Sequence, residues 1–241
     1  MNTRFFGSLG SVSTLTLGGG GIGQLWGPTT REECIATSRE ALDLGITLLD
    51  LAPSYGNGEA ERVIGEAFGG KLPDGVRITT KCRVGDTSAD DVPALLEQSL
   101  DESLLRMKLD RVDVMFLHNW VVADGAPLHG RGTYRSVVES VIVPTFEKFI
   151  ASGLIGAWGL TGVGEPETLI HLLEDGIKPG YIQIMSNLLD SPGGLKYPGT
   201  PAQPREIMAA AKHAGVSIMG IRAVQAGALT SAIDRMKPAG D

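Results

Sequence analysis

Leu48-Leu49-Asp50-Leu51-Ala52-Pro53-Ser54-Tyr55-Gly56-Asn57-Gly58-Glu59-Ala60-Glu61 decides the reading of this 241-residue chain. Leu48-Leu49 reads as a short apolar strand that ends on the carboxylate of Asp50. Pro53 and Gly56 then stop it from continuing as strand or helix, because proline lacks an amide donor and glycine favours sharp turns. Tyr55 is therefore carried in a loop just past a strand end. Loops that follow the ends of parallel strands are where α/β barrels build their reactive sites.

The same arrangement recurs downstream. Lys81 ends Arg77-Ile78-Thr79-Thr80-Lys81, with Thr80 and Cys82 facing the other way by the two-residue period of a strand. His118 ends Val112-Asp113-Val114-Met115-Phe116-Leu117-His118. Apolar runs predict seven core strands: Leu15–Gly18, Leu48–Asp50, Arg77–Lys81, Val112–Leu117, Ile155–Leu160, Tyr181–Met185 and Ser217–Ile221. A hairpin of Arg4–Phe6 and Val12–Ser13 precedes them, turning at Gly7-Ser8-Leu9-Gly10. Thr29-Thr30-Arg31-Glu32-Glu33 predicts a capping box, and Ser88-Ala89-Asp90-Asp91 predicts another for a helix reaching about Met107. Gly45 and Gly215 sit where helices should stop before a strand. Strands alternating with helices demand a mainly parallel sheet, since each helix is the crossover. Seven strands in regular alternation favour a barrel over an open sheet. With no internal repeat or linker, residues 1–241 read as one domain.

Composition narrows the function. Hydrophobic residues make up 42% and charged residues 20%, enough for a sizeable core without extended disorder. A net charge of -7 argues against nucleic acid or an anionic membrane surface as partner. No apolar run reaches the ~18 residues that a membrane span needs. Met1-Asn2-Thr3-Arg4-Phe5-Phe6 does not read as a signal peptide. Cys34 and Cys82, the only two cysteines, lack a pairing pattern and read as reduced thiols of a cytoplasmic enzyme. No cluster has metal-ligand spacing, and His129 reads as a solvated loop residue.

Gly18-Gly19-Gly20-Gly21-Ile22-Gly23 matches G-x-G-x-x-G after a strand. Such a match signals a dinucleotide fold only when a helix opens at the third glycine. Gly27-Pro28 argues against an early helix, and the next helix is expected near Thr30. The run is better read as a flexible glycine loop over a ligand at a barrel rim.

A Tyr, a Lys, an Asp and a His delivered to one rim can move a proton to or from a carbonyl oxygen without a metal. Each residue alone has a plain explanation: a turn-capping Asp, a rim aromatic, a solvated Lys, a core His. Together and in this order, D-x-A-x-x-Y-G-x-G-x-x-E over 50–61, the strand-end Lys81 and the strand-end His118 closely resemble the aldo-keto reductases. The resemblance runs from the N-terminal hairpin to about Leu229.

That resemblance implies a TIM-type (β/α)8 barrel and reduction of an aldehyde or ketone by hydride from NADPH, with NAD left open. It implies Tyr55 as proton donor. A free tyrosine, with a pKa of ~10, is a sluggish acid at neutral pH unless a cation stabilises its phenolate. Lys81 would supply that cation, Asp50 would keep it charged, and His118 would orient the carbonyl. The resemblance assigns cofactor contacts to Gly19, Gly20, Asp50, Thr161, Gly162, Gln183, Ile221 and Arg222. Two departures stand out: Gly162 replaces an amide side chain, and Ile221 stands where many members carry a stacking aromatic. Trp26 and Trp120, with Tyr55 and His118, are expected to wall the substrate pocket. The stretch Asn119–Arg135 reads as a long loop that selects the substrate.

The family's eighth strand and last helices have no counterpart in the tail, whose residues include Asp234, Arg235, Lys237, Pro238 and Gly240. The expectation is an incomplete barrel of seven βα units with two unpaired edges that invite homo-oligomers. Cofactor binding would be weaker on its adenosine side. A catalytically silent, regulatory or binding subunit on the same barrel is the alternative.

Overall fold

A computed structural model of the chain describes residues 1–225 and 229–230. The expectation for the tail around Asp234, Arg235, Lys237, Pro238 and Gly240 lies outside them.

The chain opens with an antiparallel hairpin, β1 (Thr3–Phe5) and β2 (Ser11–Ser13), one residue from its expected ends. The parallel sheet starts at β3 (Leu17–Gly18), two residues later than predicted. Ser13 accounts for the delay. Its hydroxyl donates to the Leu15 carbonyl at 2.6 Å, a local bond that diverts the backbone from the ladder. Helix α1 (Gly19–Ile22) follows, so the glycine run is a helical turn and not the predicted open loop. Helix α2 (Arg31–Asp43) starts on the expected box: the Thr30 side chain accepts from the Glu33 amide, and Glu33 accepts from the Thr30 amide.

Next come β4 (Leu48–Asp50), α3 (Glu59–Phe68), β5 (Arg77–Cys82), α4 (Val92–Met107) and β6 (Val112–Leu117). Before α4 the Ser88 hydroxyl donates to the Asp91 carboxylate at 2.6 Å, rather than accepting from a helix amide as predicted. The expected long loop instead contains a parallel pair, β7 (Trp120–Val122) and β8 (Gly132–Tyr134). Then follow α5 (Arg135–Val137), a π-helical turn over Val138–Ile142 and α6 (Val143–Ala151). The last elements are β9 (Ile155–Thr161), α7 (Pro166–Glu174), β10 (Tyr181–Met185), α8 (Pro204–His213) and β11 (Ser217–Ile221).

Seven strands form one sheet in the order β11-β10-β9-β6-β5-β4-β3. β3, β4 and β5 pair in parallel, as do β9, β10 and β11. The order never reverses, so it has no switch point of the kind that defines doubly wound dinucleotide folds. It is the singly wound order of a (β/α)8 barrel, with seven of its strands among the described residues. β3 and β11 end the order.

The chain divides into two compact units. The first comprises Met1–Cys82, Ala94–Phe116 and Phe146–Trp158. Its core includes Leu49, Leu51, Ile64, Ile78, Leu96, Leu100, Val114 and Phe116, all nearly or wholly excluded from solvent. The second comprises Arg83–Pro93, Leu117–Thr145 and the described residues from Gly159 onward. In it β10 is buried throughout, and Trp120, Val122, Val163, Met185 and Tyr197 form a cluster.

Candidate active site

In the first unit the sequence brings three ionisable side chains together by simple register. Asp50 is the last residue of β4 and pairs directly with Thr79 of β5. Lys81, two residues on, shares the face of Thr79. The Lys81 Nζ donates to Asp50 Oδ1 at 2.9 Å and to the Leu51 carbonyl at 2.7 Å. Thr79 Oγ1 donates to the same Asp50 oxygen at 2.7 Å. Lys81 has no solvent exposure, and its ammonium lies 4.7 Å from the centroid of the Tyr55 ring. Burial works against the charged form of Lys81. The Asp50 carboxylate and the Tyr55 oxygen, through charge and hydrogen bonding, outweigh it and hold the pKa above the ordinary lysine value.

The opposite face of β5 has a different task. Thr80 Oγ1 donates to Glu61 Oε1 at 2.5 Å, and Arg106 Nε donates to Glu61 Oε2 at 2.7 Å. Glu61, the last residue of the motif, is fully buried and ties α3 to β5 and α4. Cys82, also on that face, is buried, and burial pushes its thiol well up. Neither Thr79 nor the Glu61–Arg106 pair was identified from the sequence. The alternation within Arg77–Lys81 carried a signal for Thr79; nothing local announced Arg106.

Gly19 and Gly20 belong to this unit. A Cβ on Gly19 would lie 2.8 Å from Tyr55 Cδ2, and one on Gly20 would lie 2.6 Å from Trp26 Nε1. Close packing against Tyr55 and the Asp50 backbone thus explains glycine at 19, whereas at 20 the neighbour is a side chain, the indole of Trp26. Trp26 itself is exposed.

The second unit holds the other predicted residues. His118 follows β6 and is half-buried. Asn119 is fixed beside it, accepting from the Val84 amide at 2.9 Å and donating to the Arg131 carbonyl at 3.1 Å. The Thr161 hydroxyl donates to the Leu117 carbonyl at 3.0 Å. A Cβ at Gly162 would meet the Gln183 carbonyl oxygen at 2.9 Å, so an amide side chain has no room without backbone movement. Gln183 is buried on β10, with Nε2 3.3 Å from Met219 Sδ. Ile221 packs against the Trp120 cluster. Arg222 adopts a left-handed φ of 58° and donates to Gln225 Oε1 at 2.5 Å.

Trp120 was expected in an open loop beside the substrate. It lies in β7, buried, with its ring edge-on to Tyr197 at 5.5 Å and to His129 at 6.4 Å. Tyr197 caps this arrangement by donating to the Pro127 carbonyl at 2.8 Å. His129 is exposed and edge-on to Tyr197 at 5.7 Å. Among the described residues no group of three or more His, Cys, Asp or Glu side chains could hold a metal. No helix among them is long and apolar enough to cross a membrane.

Comparison with known proteins matches residues 14–241 to the Aldo/keto reductase family. L-galactose dehydrogenase of Arabidopsis thaliana is 28% identical over 185 residues, 76% of this chain and 54% of that protein. Aldo-keto reductase YhdN of Bacillus subtilis is 36% identical over 103 residues, 40% of this chain and 30% of the relative. Methylglyoxal reductase YeaE of Escherichia coli is 32% identical over 133 residues, 55% and 40% respectively. The chain thus spans about half, or less, of the length of these relatives. An aldo-keto reductase from Klebsiella pneumoniae, solved in complex with NADPH, superposes with a TM-score of 0.69 at 24% identity. That match covers 95% of this chain and 71% of the other, and at such identity it speaks for the fold. With the motif at 50–61 and the sequential parallel sheet, the match over 14–241 establishes that the chain belongs to the aldo/keto reductase family.

Proposed function

We propose that the chain reduces a small aldehyde or ketone to an alcohol at the expense of NADPH. The observation that carries this reading is the buried Lys81 ammonium, 2.9 Å from Asp50 Oδ1 and 4.7 Å from the Tyr55 ring centroid. A buried cation needs a function or a partner, and this one has a carboxylate on one side and a phenol on the other.

Tyr55 donates the proton to the carbonyl oxygen. The phenolate left behind is stabilised by the adjacent Lys81 ammonium. Asp50 keeps Lys81 charged despite its burial. His118 donates a hydrogen bond to the carbonyl oxygen, a role carried over from the family. NADPH, when bound, supplies the hydride, so that hydride and proton together convert C=O to an alcohol. The side chains of the second unit suit that cofactor in kind: Gln183 offers an amide for a carboxamide, and Arg222 offers a cation for a pyrophosphate. Complexes of relatives with NADPH support the choice. Buried, unpaired Cys34 and Cys82 support a reducing, cytoplasmic setting.

One observation favours a second reading, a binding subunit without turnover. Thr161 gives its hydroxyl to Leu117, and Gly162 has no room for an amide, which leaves fewer groups for the nicotinamide. Tyr55→Phe separates the two. On the catalytic reading the folded variant binds NADPH, seen by its fluorescence, but no longer oxidises it with aldehydes that the parent chain reduces. Near-parental kcat in the variant would sink the mechanism, and a parent chain that binds NADPH without turnover would favour the subunit.

A further inference from the structure

We propose that Thr79 is a positioning residue for the Asp50–Lys81 pair, an inference that rests on the catalytic reading of that pair. Asp50 Oδ1 accepts from Thr79 Oγ1 at 2.7 Å and from Lys81 Nζ at 2.9 Å. Thr79 and Lys81 have no exposure to solvent, so water does not compete for that oxygen from their side. The register makes the meeting unavoidable. Asp50 and Thr79 are direct partners across β4 and β5, and Lys81 follows Thr79 on the same face.

The torsion that turns a carboxylate plane is broad and roughly two-fold, so each further hydrogen bond narrows its orientation. Thr79 supplies a second donor from a β-branched side chain with a restricted first torsion, rooted in a buried strand. Oδ1 is thereby fixed in direction as well as distance. An ammonium has three donors. Lys81 directs donors to Oδ1 and to the Leu51 carbonyl at 2.7 Å, which leaves a third for the side of Tyr55, whose ring centroid lies 4.7 Å from the ammonium. The bond that Thr79 makes here is to the carboxylate of Asp50. It acts through the carboxylate plane on the direction of the ammonium. Valine would fill the same volume without the donor, and serine would keep the donor.

The test compares Thr79→Val with Thr79→Ser in the full chain by two measurements. The first is proton exchange of the Lys81 ammonium by 1H–15N NMR, assigned by its loss in Lys81→Met. The second is steady-state reduction of an aldehyde panel with NADPH. In Thr79→Val the ammonium protons should exchange several-fold faster, and kcat should fall roughly tenfold with KM for the carbonyl unchanged, as for a misplaced group. Thr79→Ser should recover both. Should Thr79→Val not fold, Thr79→Ala removes the donor while adding no crowding. Unchanged ammonium exchange in the donorless variant overturns the proposal, as does a kcat loss that serine does not repair. If the parent chain oxidises no NADPH, the catalytic reading fails on its own, while ammonium exchange still decides whether Thr79 positions Lys81.

Discussion

Arg106 Nε lies 2.7 Å from Glu61 Oε2, and Glu61 has no exposure to solvent. The pair holds α3 and α4 against the back of the strand that carries Lys81. Removing one partner strands the other as an uncompensated buried charge, which typically costs about 3–5 kcal/mol. Arg106→Met is therefore expected to lower unfolding stability by about 3 kcal/mol. Adding Glu61→Leu to it should recover part of the loss, because both charges then leave together. Urea unfolding of the two variants checks this, and an Arg106→Met midpoint equal to the parent's would show that the pair is energetically idle.

Lys81 has its pKa held above the ordinary 10.5 in the folded chain. A group raised on folding contributes stability that is fully present below its unfolded pKa and is lost as pH rises through its folded pKa. Stability should therefore be insensitive to Lys81 across neutral pH and decline above about 10.5. Lys81→Met should be less stable at pH 7 and should lack this alkaline component. Urea midpoints between neutral pH and pH 11 measure it, and parallel curves for parent and variant would contradict the assignment. The same variant should reduce carbonyls far more slowly, since it removes the cation beside the phenolate.

Gly19 and Gly20 predict opposite sensitivities. A Cβ on Gly19 meets the Tyr55 ring at 2.8 Å and the Asp50 carbonyl oxygen at 3.1 Å, and that backbone cannot easily give way. On Gly20 it meets the exposed indole of Trp26, which can swing into solvent. Gly19→Ala should destabilise by about 1–3 kcal/mol, as overpacking does, and reduce turnover by displacing Tyr55. Gly20→Ala should stay within about 1 kcal/mol of the parent. Thermal melts together with NADPH oxidation rates compare them, and equal effects would refute the packing argument.

The parallel strands were legible because each carries β-branched or aliphatic residues, and from β3 to β10 a helix follows in sequence before the next strand of the sheet. β6, β10 and β11 run where the apolar runs placed them. So was the Thr30–Glu33 box, a purely local device. Some short elements were not. β7 and β8 are three-residue strands within a stretch whose Gly125, Pro127, Gly130 and Gly132 read as loop. Helix α1 hides in glycines, the poorest helix formers after proline, and forms where Tyr55 and Trp26 pack against it. Asp50, Tyr55 and Lys81 could be named singly from their strand ends, yet their supports could not. Arg106 is 45 residues from Glu61, and Thr79 meets Asp50 only once the register of two strands is known.

β5 faces a buried carboxylate on each side: Asp50 takes Thr79 and Lys81, and Glu61 takes Thr80. A strand that slips by one residue exchanges its two faces completely. Slippage here would carry Lys81 away from Asp50 and turn Cys82 or Thr80 towards it, so that both carboxylates lose partners together. Wrong alignments of this strand are thus penalised twice, and the penalty falls before any substrate is met. The arrangement that readies Lys81 for proton chemistry also acts as a check on assembly, so that a chain able to bury β5 at all has already aligned its site.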